Sequence, residues 1–125
     1  MADEKNITIS GIEIEPGQSA LINLNVAKLP THTTLDLPVH VLRSKKPGPV
    51  LLLTAGLHGD EINGIEILRR MIRDKALLPE KGSVIVVPIV NIFGFLIHSR
   101  AMPDGKDLNR CFPGTKNGSL GSMVA

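Results

Sequence analysis

The chain has no tryptophan, no tyrosine and only three phenylalanines. Aliphatic side chains must therefore build its core. Flat rings on which single-stranded nucleobases could stack are scarce, which argues against that kind of recognition. A single cysteine, Cys111, rules out an intrachain disulfide and agrees with a reducing cytosol. No apolar run approaches the roughly 18–20 residues that span a bilayer. The opening MADEKN is polar and acidic, unlike a signal peptide. A cytoplasmic protein with no membrane partner is the expectation. Neither charge sign dominates: the formal net charge is +2, and the local cluster Arg69, Arg70 and Arg73 has the spacing of a solvated helix face. No basic footprint for nucleic acid is present. GxxxxGKS/T and GxGxxG are absent, which removes phosphate-loop nucleotide binding. GxSxG is absent, so Gly118-Ser119-Leu120-Gly121 is no nucleophile elbow. Cys111 has no histidine in the context of a cysteine enzyme and reads as a packed small residue.

What remains is an ordinary globular composition, 42% hydrophobic and 21% charged over 125 residues, enough for one core. Residues 1–6 carry no pattern and read as disordered. Ile7, Ile9, Ile12 and Ile14 alternate with polar residues around Gly11, which predicts one strand with a bend or bulge. Ala20, Ile22, Leu24 and Val26 predict a second strand. Leu35, Leu37, Val39 and Val41 predict a third, placed by Pro38 at an edge or a bulge. The polar turn Arg43 to Pro49 is the best internal boundary. It separates a strand-rich segment, 1–46, from an α/β segment, 47–125.

The second segment opens with Val50 to Thr54, an apolar run without alternation, as expected of a parallel strand covered on both faces. Asp60 can cap the helix that follows, whose stripe is Ile62, Ile65, Leu68, Met71 and Ile72. Lys75 and Pro79 bracket its end. Ser83 to Val90 predicts a second buried strand, bent at Pro88, and completes a right-handed parallel βαβ unit. Asn91 onward reads as loop, and Asp104 to Gly118 as a long one. A helix capped by Ser119 starts near Gly118.

Between the apolar strand and the helix lies Gly56-Leu57-His58-Gly59-Asp60-Glu61. Imidazole nitrogen and carboxylate oxygen are zinc donors, and a catalytic zinc uses three protein ligands plus water. A turn can bring His58 and Glu61 to one point, although this is not HExxH, where both histidines share a helical face. A turn histidine beside a helix-start carboxylate would give the same spacing. The placement after a buried strand, where α/β proteins bind ligands, supports the functional alternative. After the second strand come Arg100 and Asp107-Leu108-Asn109-Arg110. Two arginines and an asparagine suit an anionic substrate or the oxyanion of an attacked carbonyl; a polar loop held by ion pairs would look similar. Both clusters lie on connections that leave the same edge of a parallel sheet, which is the reason to read them as one site.

GLHGDEINGIEILRRM together with DLNRCFPG resembles the succinylglutamate desuccinylase/aspartoacylase family, a branch of the zinc carboxypeptidase superfamily. The resemblance runs from about Val50 to Leu120. It implies an α/β domain with a mixed, largely parallel sheet and a zinc-dependent amide hydrolase. Its substrate would be a small anionic N-acyl amino acid, or alternatively the C-terminus of a peptide. It implies that His58 and Glu61 ligate zinc, that Asn109 and Arg110 hold the substrate carboxylate, and that Arg100 stabilises the oxyanion. Asp107 and Leu108 would shape the loop. The family also uses a third ligand, a histidine downstream of the Asn-Arg pair, and a later glutamate as general base. No histidine follows His98 and no glutamate follows Glu80. His32, His40 and His98 read as ordinary strand or loop histidines. The expectation is therefore a fragment: a hydrolase domain lacking a ligand and the base, inactive alone, with a sheet edge left open to self-association. The rival reading is a non-catalytic metal- or carboxylate-binding remnant.

Overall fold

The computed structural model describes residues 5–125. The disorder expected at residues 1–6 lies outside the described residues for 1–4. Lys5 and Asn6 are tied down: the Lys5 carbonyl accepts from Arg43 Nη2 at 3.2 Å, and Asn6 Nδ2 donates to Glu13 at 3.4 Å.

The first isoleucine pattern forms a hairpin rather than one bent strand. Strands β1 (Ile7–Ile9) and β2 (Ile12–Ile14) pair antiparallel across Ser10-Gly11. Both turn residues have positive φ, 50° and 78°. That is the backbone of a tight hairpin turn whose twist matches its strands. The step of three from Ile9 to Ile12 shifts the alternation by one residue, and a bulge in one strand would shift it in the same way as a two-residue hairpin turn.

Strands β3 (Ser19–Lys28) and β4 (Thr34–Arg43) form a long antiparallel ladder, with its irregularity between Asn25 and Ala27. Strand β5 (Val50–Thr54), helix α1 (Ile62–Arg73) and strand β6 (Ser83–Val87) follow. The sheet order is β3-β4-β6-β5; β5 and β6 are parallel and the other neighbours antiparallel. The sheet is mixed, as expected, with its parallel part confined to β5 and β6. Pro38 lies in an internal strand, yet β6 pairs with β4 only from His40 to Arg43. On that side the strand is locally an edge where proline removes the N–H.

One face of the sheet carries the hairpin. Ile14 packs with Ile22, Val39 and Val41 there. The buried Arg43 guanidinium fastens hairpin to sheet by donating to the Ile14 carbonyl at 2.6 Å and to Ser83 Oγ at 3.0 Å. The other face carries α1, whose Leu68 packs on Val84 and Val86. The arginines of α1 lie on its solvated side, as their spacing predicts. Glu66 accepts from both Arg69 and Arg70, which pushes its carboxyl down to about 2. Lys75, at φ 57°, turns the chain out of the helix.

Strand β5 departs from expectation. Val50, Leu51 and Leu52 are 58%, 53% and 59% exposed rather than covered. It is the edge strand, no described strand pairs with its free side, and an apolar run cannot distinguish a central position from a bare edge. Among the described residues no helix is long and apolar enough to cross a membrane.

The segment after β6 is more ordered than a loop. Asn91 caps a short helix, α2 (Ile92–Leu96), by accepting from Gly94 N at 2.8 Å. A 3-10 turn (Leu108–Arg110) and helix α3 (Leu120–Val124) follow, the latter capped by Ser119 as expected. Val90, Met102 and Leu108 form the small core that binds this segment together.

Candidate metal and substrate site

The carboxyl end of β5 continues as a turn locked to the chain leaving β6: Val90 N donates to the Ala55 carbonyl at 3.0 Å and Asn91 N to the Gly56 carbonyl at 2.9 Å. Gly59 lies at the centre of this contact. A side chain there would collide with the backbone of Gly94, Phe95 and Ser99. Backbone therefore packs on backbone, and the turn bearing His58 rests directly on α2 and on the residues leading to Arg100.

His58 is 6% exposed. Its Nδ1 lies 2.7 Å from Glu61 Oε1, and its Nε2 lies 2.9 Å from Asp107 Oδ1. Glu61 also accepts from the His58 backbone N–H at 3.2 Å. Glu61 is the N-cap residue of α1 without capping it, since its carboxylate folds back onto the histidine. Asp60, expected as the cap, lies one residue before that position and is exposed. The hydrogen bond from His58 holds the Glu61 carboxyl below its ordinary range, and Arg100 adds a smaller electrostatic pull. The Asp107 carboxyl is lowered first by His58, then by the N–H of Asn109, with Arg100 again contributing.

Asp107, expected only to shape its loop, also reaches His58. Its Oδ1 receives both His58 Nε2 and, at 2.9 Å, the backbone N–H of Asn109. One oxygen thus joins the HGDE turn to the DLNR turn. A ligand histidine commonly donates its second ring N–H to a carboxylate, which fixes the tautomer and raises the basicity of the other nitrogen. The signal was a carboxylate two residues before the Asn-Arg pair, but only the fold brings it across 49 residues to His58.

The donor types fit zinc: Nδ1 of an oriented imidazole and Oε1 of a carboxylate meet at one point. Asp107 approaches the opposite end of the ring and does not join them. Accordingly, no group of three or more His, Cys, Asp or Glu side chains converges as a ligand set among the described residues.

Two clefts are lined by the carboxylate partners of the histidine, one by Glu61 and the other by Asp107. One, of about 480 Å³, is lined by Thr54, Gly56, Asp60, Glu61 and Asn63 among others. The other, of about 300 Å³, is lined by Lys106, Asp107, Arg110, Cys111, Ser119 and Ser122. Arg110 thus lines a cleft beside Asp107. Asn109 is exposed next to it, and Arg100 is exposed within electrostatic reach of both carboxylates. His32, His40 and His98 make no contact with this cluster among the hydrogen bonds of the described residues. Burial within the sheet lowers His40 from 6.5.

Residues 47–124 match the model of the succinylglutamate desuccinylase/aspartoacylase catalytic domain. The N-alpha-acetyl-L-2,4-diaminobutyric acid deacetylase of Halomonas elongata is 39% identical over 90 residues, which are 71% of this chain and 26% of that protein. An aspartoacylase family protein from Mesorhizobium loti superposes with a TM-score of 0.75 at 36% identity, over 89% of this chain and 35% of its own. A succinylglutamate desuccinylase/aspartoacylase from Rhodobacter sphaeroides does so with a TM-score of 0.71 at 34% identity, over 86% and 33%. The chain thus spans between a quarter and about a third of the length of these relatives. The fold, the HGDE and DLNR turns and the matched domain agree: the chain belongs to the succinylglutamate desuccinylase/aspartoacylase family.

Proposed function

We propose that this chain supplies the first part of a zinc-dependent amide hydrolase site that acts on small N-acyl amino acids. The observation that carries this reading is His58, buried and held at Nε2 by Asp107 so that Nδ1 faces Glu61 Oε1. His58 and Glu61 would hold the metal. The chemistry zinc supplies at such a site is polarisation of a carbonyl and acidification of a water.

This chain's own residues bind and orient. Arg110, at the rim of its cleft, and Asn109 beside it offer a bidentate cation and a directed donor to the substrate carboxylate. Arg100, within electrostatic reach of the Glu61 and Asp107 carboxylates, would meet charge that develops on a carbonyl oxygen. In this reading the third ligand and the general base lie outside these 125 residues, because no histidine follows His98 and no glutamate follows Glu80. The bare edge of β5 supports its pairing with further chain, and self-association of the isolated chain belongs to the same proposal.

Among acyl amino acids, the Halomonas deacetylase makes N-acetyl-2,4-diaminobutyrate the first substrate to try, with N-acetylaspartate and a peptide C-terminus as comparisons. Calorimetry of zinc binding is the direct test. The parent chain should bind zinc, and His58→Ala and Glu61→Ala should each abolish it. Zinc binding that survives in His58→Ala would sink the proposal. Zinc-dependent deacylation by the 125-residue chain alone would overturn the claim that its site is incomplete.

A further inference from the structure

Asn91 is completely buried, and it is the point at which the two halves of the site touch. Its backbone N–H donates to the Gly56 carbonyl at 2.9 Å, in the turn that leads to His58. Its side-chain oxygen accepts from Gly94 N at 2.8 Å, and its side-chain nitrogen donates to the Arg100 carbonyl at 3.4 Å. A buried amide must find its partners inside the protein, and both ends of this one are used.

The surroundings leave little slack. A side chain on Gly94 would meet Ser99 O at 2.5 Å, Asn91 Nδ2 at 2.9 Å and Ala101 O at 3.1 Å. Residues 99 and 101, which flank Arg100, therefore lie directly on Gly94, with Ser99 N also bonded to the Gly94 carbonyl at 2.8 Å. Gly59, next to His58, presses on the same Gly94. The metal-side turn and the arginine segment are thus referenced to one spot, and the Asn91 amide is the polar group that ties them there.

We infer that Asn91 is a positioning residue: its amide fixes the backbone from which Arg100 projects, relative to the His58 turn. The inference rests on Arg100 belonging to the site as proposed above. Its predicted consequence is that Asn91 controls, through Arg100, the hold on the carbonyl oxygen of an N-acyl amino acid, with little effect on metal binding.

Asn91→Ser separates the two functions of the side chain. Serine at an N-cap can still accept from the third N–H of the helix, but it is too short to reach the Arg100 carbonyl. The experiment compares the full chain with Asn91→Ser, Asn91→Ala, Arg100→Ala and the double variant Asn91→Ser/Arg100→Ala. It reads the Arg100 Nε–H resonance by NMR, zinc affinity by calorimetry, and N-acetylglycine affinity by NMR titration in zinc chloride.

In Asn91→Ser we expect a displaced Arg100 resonance, an unchanged zinc affinity and N-acetylglycine binding about 5- to 10-fold weaker, the scale of one lost hydrogen bond. Adding Asn91→Ser to Arg100→Ala should weaken binding no further. Asn91→Ala should lose thermal stability as well, because it also removes the cap. An unmoved Arg100 resonance, or equal weakening by Asn91→Ser with and without Arg100, overturns the inference. If the resonance moves but Arg100→Ala binds N-acetylglycine as well as the parent, the positioning role stands and the carbonyl-binding role of Arg100 falls.

Discussion

Replacing Asp107 gives the sharpest test of how the site is built. Its Oδ1 receives His58 Nε2 at 2.9 Å and Asn109 N at 2.9 Å. Asp107→Asn preserves shape and an oxygen able to accept from Asn109, but removes the negative charge that the imidazole N–H faces. Asp107→Ala removes the acceptor for both groups. Loss of a partner that orients a ligand histidine costs about 10- to 100-fold in metal affinity. The side chain is 36% exposed, so solvent already screens part of its charge. The asparagine variant should therefore fall near the lower end, about tenfold, and the alanine variant near the upper end, about 100-fold. Competition for zinc against a chromophoric chelator resolves both. Hydrogen exchange at the Asn109 amide should rise in Asp107→Ala and stay close to the parent in Asp107→Asn. The reasoning is refuted if Asp107→Ala binds zinc within twofold of the parent while His58→Ala does not bind it.

Other consequences follow from packing and titration. Gly59→Ala would force a methyl group into the backbone of Gly94 and Ser99. It should destabilise the chain by at least about 3 kcal/mol, the upper range for overpacking where nothing flexible can yield; an unchanged urea midpoint would contradict the contact. His40 should make stability fall in mild acid. Burial lowers its folded value below 6.5, so the unfolded chain takes up the proton first. Stability from this group is complete above pH 6.5 and declines as the pH drops from there towards the folded value. His40→Gln should flatten that part of a urea-midpoint profile against pH, and an unaltered slope would rule out His40 as the cause.

Much of this was legible because it is carried by short-range pattern. Alternation placed β3 and β4 to within a few residues, and the stripe from Ile62 to Ile72 placed α1. The switch from strand to helix at HGDE located the turn. Local pattern also misled in identifiable ways. Ser10-Gly11 shifts the alternation of isoleucines by one residue, as a bulge also would, so a hairpin looked like one bent strand. Val50 to Leu52 is as apolar as a covered strand, but whether a strand is covered depends on neighbours that its own sequence does not encode. Asn91 heads a helix of five residues, too short for a periodic stripe. For the site, residue type was enough to nominate His58, Glu61, Arg100, Asn109 and Arg110. That the two turns meet was legible from β5 and β6 as parallel neighbours, but the pairing of His58 with Asp107 was not, because residue type does not say which side chain of one turn meets which of the other.

That pairing has a further consequence, for how the chain holds together. A bond between residues 49 apart closes a long loop, and the entropy of closing such a loop rises only slowly with its length. The His58–Asp107 contact therefore acts as a cross-link, fastening the part of the chain after β6 to the turn after β5. The same imidazole that would receive a metal at Nδ1 is the anchor of that fastening at Nε2. An ion captured at Nδ1 would commit the remaining ring proton to Asp107 and tighten the link. Loading the site and docking the last third of the chain would then be coupled equilibria.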